Sequence, residues 1–203
     1  MSTALRVGLS GSVALLMLLA GCRTVPPPPL IVGPGAGAPW SEQRAGLEQL
    51  DRYTLSGRVA VAANGQGFSG NLRYQQQPQR ADLALDGPLG MGGLRVALAG
   101  EQLSISTSKG EQLDGPEARL ELERRLGFEL PLSELRWWLL GIPAPGESAL
   151  EQDVGSGEIH GFRQKGWHVS IDTRTAAMGF ALPQKLTATR EGTRFKLLVE
   201  NWQ

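Results

Sequence analysis

The sequence predicts a mainly β protein, an antiparallel sheet that curls into a partly closed barrel or splits into a sandwich, with two or three helices over its apolar face. Three observations predict this. Roughly nine segments alternate apolar and polar residues with a period of two. Glycine supplies 27 of 203 residues, nearly twice ordinary usage, which implies many turns between short strands. Helical spacing is confined to two or three segments. One apolar face on so large a sheet has to be covered. The alternation is compatible with a packed or a hollow interior.

The chain opens with an address. Arg6 is the only charged side chain among residues 1–21, and Val13 to Ala20 reads VALLMLLA. A basic start, a short apolar run and a small-residue cleavage site describe a secretory signal peptide. The run is too short for a membrane span of about 20 residues. Leu19-Ala20-Gly21-Cys22 resembles the lipobox of bacterial lipoproteins, in which the cysteine thiol is acylated and becomes the first mature residue. Cys22 is the only cysteine, so it is the expected site of an N-acyl diacylglyceryl modification. Residues 22–39 form a Pro/Gly-rich tether, and such tethers are extended and semi-rigid. Arg23 follows the cysteine where Asp would favour inner-membrane retention in enterobacteria, so outer-membrane sorting is expected.

Residues 40–203 form the folded domain. Trp40 to Arg52 carries Trp40, Leu47 and Leu50 near helical spacing. Period two then takes over: Leu55, Val59 and Val61 share one face, and Phe68, Leu72 and Tyr74 share the next after the Asn64-Gly65 hairpin signal. Leu83 and Leu85, then Leu94, Val96 and Leu98, then Leu103 and Ile105 continue the alternation. Pro116 to Leu126 is a helix with Leu120, Leu122 and Leu126 as its apolar members, stopped by Gly127. Leu132 to Leu140 is a second, with Gly141 beyond it. Strands resume at Ile159 to Gln164 and at Trp167, Val169 and Ile171. Lys185 to Arg190 and Arg194 to Glu200 close the chain as a hairpin around Glu191-Gly192.

Composition excludes several function classes. Twenty basic and twenty acidic residues give no net field for a polyanion, so nucleic acid is not an expected partner. One cysteine and two histidines leave no material for a disulfide, a Cys-based zinc site or a His-rich metal centre. No phosphate-binding loop, dinucleotide fingerprint or Gly-x-Ser-x-Gly elbow occurs in the domain, and no acid/base carboxylate pair stands out. His168 falls on the polar side of its strand. The expectation is a protein that is not an enzyme and carries no metal or free cofactor.

Two features suggest binding instead. Asp86-Gly87-Pro88-Leu89-Gly90-Met91-Gly92-Gly93 interrupts two strands with few side chains, Leu89 and Met91 being the apolar ones. Leu89 either tucks back into the core or forms an exposed apolar finger, and exposed apolar groups mark interaction sites. Beside a bilayer the natural partner is lipid. Trp137 and Trp138 point about 100° apart on a helix of 3.6 residues per turn. Core packing is the ordinary fate of such a pair; one member lining a cavity is the alternative.

These strings, taken in order, resemble one family. They are the lipobox at Cys22, Trp40 opening a helix, and Leu55-Ser56-Gly57-Arg58-Val59-Ala60-Val61. Gly87-Pro88-Leu89-Gly90 follows, then Pro131-Leu132 through Leu135-Arg136-Trp137-Trp138-Leu139-Leu140-Gly141, and finally Trp202. Together they resemble LolB, the outer-membrane lipoprotein receptor of the Lol pathway. The resemblance implies a half-open antiparallel β-barrel with two or three helices covering an apolar cavity. It implies a monomer that accepts triacylated lipoproteins from the periplasmic carrier LolA and inserts them into outer-membrane lipid. It places membrane insertion in the loop of Gly87, Pro88, Leu89, Gly90 and Met91, with Leu89 as the apolar residue needed. Candidate residues for an acyl-chain cavity or lid are Trp137, Trp138, Leu140, Tyr74, Leu85 and Trp167. The chain departs from the family pattern by carrying Met91-Gly92-Gly93 after the motif, and by Arg73-Tyr74 where some relatives have bulkier aromatic runs.

Overall fold

The computed structural model describes residues 32–87, 93–153 and 158–203. In chain order these form α1 (Trp40–Gln49), β1 (Tyr53–Ala63), β2 (Gln66–Gln77), β3 (Arg80–Asp86), β4 (Leu94–Ala99), β5 (Gln102–Thr107) and β6 (Gln112–Asp114). Two helices follow, α2 (Gly115–Leu126) and α3 (Leu132–Leu139). The chain returns to the sheet as β7 (Leu150–Asp153), β8 (Ile159–Gln164), β9 (Trp167–Ala177), β10 (Phe180–Arg190) and β11 (Thr193–Trp202).

All these strands join one antiparallel sheet in the order β6-β5-β4-β3-β2-β1-β11-β10-β9-β8-β7. The sheet is therefore curled and open: β6 and β7 are edges that do not pair with each other. A sandwich would need two sheets. Two meanders, β1–β6 and β7–β11, meet at a seam where Val59 lies opposite Leu197 and Leu55 opposite Trp202. Thr54 and Gln203 exchange backbone hydrogen bonds at the end of that seam, at 2.6 and 2.9 Å.

The alternation read from sequence sets the two faces. On β1, Leu55, Val59 and Val61 are buried, and Arg58, Ala60 and Ala62 between them are exposed. The inward residues of both meanders and of the helices form one continuous apolar cluster. Among the described residues, four hairpin turns carry positive φ at two successive residues, including Asn64 (53°) with Gly65 (77°) and Glu191 (24°) with Gly192 (76°). That is the twist that matches right-handed strands. Gly57 answers a different need. A β-bulge falls between Ser56 and Gly57, and a Cβ at 57 would collide with the Leu198 carbonyl across the seam.

The structure differs from the expected elements in several places. Among the described residues, eleven strands stand where about nine were expected, because β6 and β7 span only 3 and 4 residues, too few to show a period. The strand expected from Lys185 begins at Phe180. Pro183 cannot donate to a ladder, and the register shifts between Pro183 and Lys185 accommodate it. Helix α1 ends at Gln49 rather than Arg52, since Leu50 turns to an extended backbone (φ −72°, ψ 102°). On α2 the buried stripe is Ala118, Leu122 and Leu126, one turn apart, and Leu120 is 68% exposed. Gly127 (φ 79°) ends that helix as expected, its N–H returning to Glu123 O at 2.7 Å. Among the described residues, no helix is long and apolar enough to cross a membrane.

Candidate functional site

Helix α2 packs against β5 and β6 at one edge of the sheet. The connector 127–131 and α3 then cross the apolar face. Phe128, Leu135, Trp138 and Leu139 on this lid are buried, and Leu130 is half-buried. Two small voids remain between lid and sheet, each about 20 Å³. One is bounded on the sheet side by Val59, Val61, Phe68, Leu72, Leu83 and Leu85, the other by Trp167, Leu186 and Ala188. Phe128, Leu130, Leu135, Leu139 and Phe195 border both and so form the partition between them. Each void has room for about one water molecule. As they stand, the two voids are too small for an acyl chain, which enters only if the partition moves.

Polar bonds tie the lid to both ends of the sheet. Gln164, at the end of β8, is 2% exposed. Its Oε1 accepts from Trp138 Nε1 at 2.8 Å and from the Ala144 N–H at 2.9 Å, and its Nε2 donates to Ala144 O at 2.8 Å. Glu134, buried on α3, pairs with Lys165 in the β8–β9 turn, and Lys165 also reaches Glu147 at 3.0 Å. Asn64 Nδ2 donates to Gly127 O at 2.9 Å, joining the connector to the β1–β2 turn. Tyr53 OH donates to Arg136 O at 2.6 Å, and Arg136 Nη2 to Leu50 O at 3.2 Å.

Aromatic rings line the lid contact. Trp167 meets Phe128 edge-on at 5.7 Å between centroids and Trp138 at 6.2 Å, and Trp138 meets Phe162 at 6.1 Å. At the far end of β1, Tyr53 packs on Tyr74 at 5.7 Å and on Trp202 at 5.8 Å. Burial pushes both phenols well above their ordinary pKa. Tyr74 OH donates to Gln76 Oε1 at 2.6 Å.

The residues singled out from sequence fall in different places. Leu85 borders one void; Trp138 and Trp167 border the other. Tyr74 sits in the tyrosine cluster, and Leu140 is fully buried just after α3, neither bordering these two voids. Trp137 is half-buried beneath the Arg136 guanidinium, 4.3 Å from its ring centre. Gly87 ends β3 beside Ser69 O, a Cβ there falling 3.3 Å away. Cys22, Pro88, Leu89, Gly90 and Met91 lie outside the described residues. His168 meets Gln152 on the polar face at 3.2 Å. Among the described residues, no group of three His, Cys, Asp or Glu is placed to hold a metal.

Sequence reasoning missed Gln164, Glu134 and Phe128. Gln164 had a signal: it shares strand parity with buried Phe162, and a polar residue on an inward position asks for partners. Glu134 and Phe128 had none, because both depend on how the lid lies across distant strands. The sequence also gave no hint of a broad, open groove of about 1160 Å³ on the opposite, polar face, bordered by Arg58, His168, Asp172, Lys185, Arg194 and Lys196. It is separated from the apolar interior by the sheet itself.

The model of the family described as outer membrane lipoprotein LolB matches residues 51–202. The chain is 30% identical over 189 residues to the outer-membrane lipoprotein LolB of Stutzerimonas stutzeri, covering 93% of this chain and 92% of that protein. It is 33% identical over 191 residues to the protein of that name from Pseudomonas putida KT2440, and 31% identical over 204 residues to the one from Pseudomonas paraeruginosa. These alignments cover 93% and 98% of this chain. Among solved structures, a DUF1329 family protein from Desulfovibrio piger shares the fold at a TM-score of 0.53 and 7% identity, covering 78% of this chain and 88% of that one. With an open sheet, a lid over an apolar interior and a family match across nearly the whole domain, the chain belongs to the LolB family of outer-membrane lipoproteins.

Proposed function

We propose that the chain is an outer-membrane receptor, anchored through acylated Cys22, that takes lipoproteins from a periplasmic LolA-type carrier and passes them to the membrane. The observation that carries this is the interior: two carbon-walled voids under a lid, separated only by side chains that can move. A triacylated cargo has roughly 45 methylenes, worth about 0.8 kcal/mol each when buried, so on the order of 36 kcal/mol gross. That gross gain, less what the carrier already provides, is available to displace Phe128, Leu130 and Phe195 and to open the interior well beyond the two voids. A site that is packed when empty also limits the net gain, which lets the chains leave again. Direction then comes from differences in affinity along carrier, receptor and membrane.

The loop between β3 and β4 supports the last step: it leaves the sheet at Gly87 and returns at Gly93, and it carries Leu89 and Met91 for contact with lipid. The Pro-rich stretch after Cys22 gives the domain reach toward both carrier and bilayer, and the chain docks on the domain from Gly33, whose N–H donates to Met178 O. The test is transfer itself. Lipoprotein-loaded carrier is mixed with the chain, and cargo is followed by co-purification. Cargo moving to the chain without an energy source is expected; cargo that stays on the carrier sinks the proposal.

A further inference from the structure

Of the residues bordering the two voids, only Trp138 and Trp167 carry a side-chain hydrogen-bond donor. Trp138 Nε1 is satisfied by Gln164. Trp167 Nε1 is buried and has no partner among the described residues. An unmade buried hydrogen bond is costly and rare in a folded protein, and an apolar ring of Phe size would avoid it.

The position of Trp167 suggests what the donor is for. It is the first residue of β9, beside the Lys165-Gly166 turn. Antiparallel pairing brings this turn to the same end of the sheet as Asn64-Gly65, Glu191-Gly192 and the point where the chain leaves β3 at Gly87. Trp167 is therefore at the rim of the interior. One side of it faces carbon; on the other, the Arg190 guanidinium lies 4.9 Å over its ring. Its void-side neighbour is Phe128 of the connector. Movement of the partition would take Phe128 off the indole, and the N–H, which adds no polar surface to the void as it stands, would then meet whatever enters.

An acylated glycerol drawn in by its tails places methylenes deepest and its ester groups at the rim. An ester carbonyl only accepts hydrogen bonds, and an indole N–H only donates. We infer that Trp167 reads the ester: its Nε1–H donates to an acyl ester carbonyl of the lipid held under the lid. This rests on the acyl-binding function proposed above. It adds a chemical preference, for ester-linked chains over ether-linked chains of the same length, to a site otherwise selective only for hydrocarbon.

The experiment offers the full chain, in alkyl maltoside micelles, an equimolar mixture of two lipopeptides. One is a dipalmitoylglyceryl-cysteine peptide and the other its dihexadecyl ether counterpart; native mass spectrometry counts the two complexes. An ester excess of about tenfold is expected, the size of one hydrogen bond. Trp167→Phe, and replacement of Trp167 by benzothienylalanine, which keeps the shape and lacks the N–H, bring the ratio near one while ether binding persists. Equal binding by the parent chain, or an ester excess that survives in the benzothienylalanine protein, overturns the inference. Absence of both complexes with the parent chain overturns the acyl-binding function as well.

Discussion

Gln164 holds Trp138 from across the lid: its side-chain carbonyl accepts the indole N–H at 2.8 Å while the same amide closes both backbone groups of Ala144. One buried side chain thus fixes helix α3 and the segment after it to the end of β8. Replacing it with Leu keeps most of the volume and leaves three buried polar groups unmade. The expected loss is about 3 kcal/mol in urea unfolding, given the cost of unsatisfied groups. A loss under about 1 kcal/mol would show that the amide is incidental.

The Glu134–Lys165 pair is a weaker tie. Glu134 is nearly buried, but Lys165 is 38% exposed, so solvent screens the pair. Lys165→Met is expected to speed uptake of an apolar fluorescent probe by about threefold, in keeping with pairs worth ~0.5–1 kcal/mol, with little change in melting temperature. An unchanged uptake rate would remove the pair from the lid's hold.

The chain has two tyrosines, Tyr53 and Tyr74, and both are buried with pKa values raised chiefly by burial. A raised value means the native state holds these protons more tightly than the unfolded one. Their contribution is intact below the unfolded value of about 10 and is lost as pH rises above it. Tyrosinate absorbance is therefore expected only in step with loss of the β-sheet circular dichroism signal. A reversible titration near the ordinary value with the sheet intact would contradict the burial.

Gly57→Ala tests the seam. The added methyl collides with the Leu198 carbonyl, which β11 cannot move without breaking its pairing to β1. A loss of about 3 kcal/mol is expected, at the upper end for overpacking. Full stability would mean that the bulge at Ser56 and Gly57 yields more easily than its pairing implies.

Leu89→Glu addresses the loop. Under the proposed function, the variant takes cargo from the carrier as the parent does but delivers about tenfold less to liposomes, because a carboxylate resists the apolar layer. Delivery at the parental rate would take Leu89 out of membrane contact.

How much of this was legible depended on the range of the signal. Leu55, Val59 and Val61 showed their face by parity alone, and Asn64-Gly65 declared its turn. The stop at Gly127 was equally local. Pro183 hid the first half of β10, since a proline argues against a strand until a bulge is known to absorb it. Leu120 misled because α2 buries residues four apart, a choice made by its neighbours β5 and β6. Trp167 was readable as apolar and inward, but its unpaired N–H was not, because satisfaction depends on what the lid brings near. Gln164 and Trp138 are 26 positions apart, and no local pattern joins them.

The pairing of β1 with β11 has a consequence for how the protein comes into being. The strand at the centre of the sheet finds its second neighbour more than 130 residues later, with Val59 opposite Leu197. Until β11 has been synthesised, each meander has an unfinished inner edge and no common interior. Such distant partners make for slow, late folding. Closing the interior therefore waits on the longest-range pairing in the sheet.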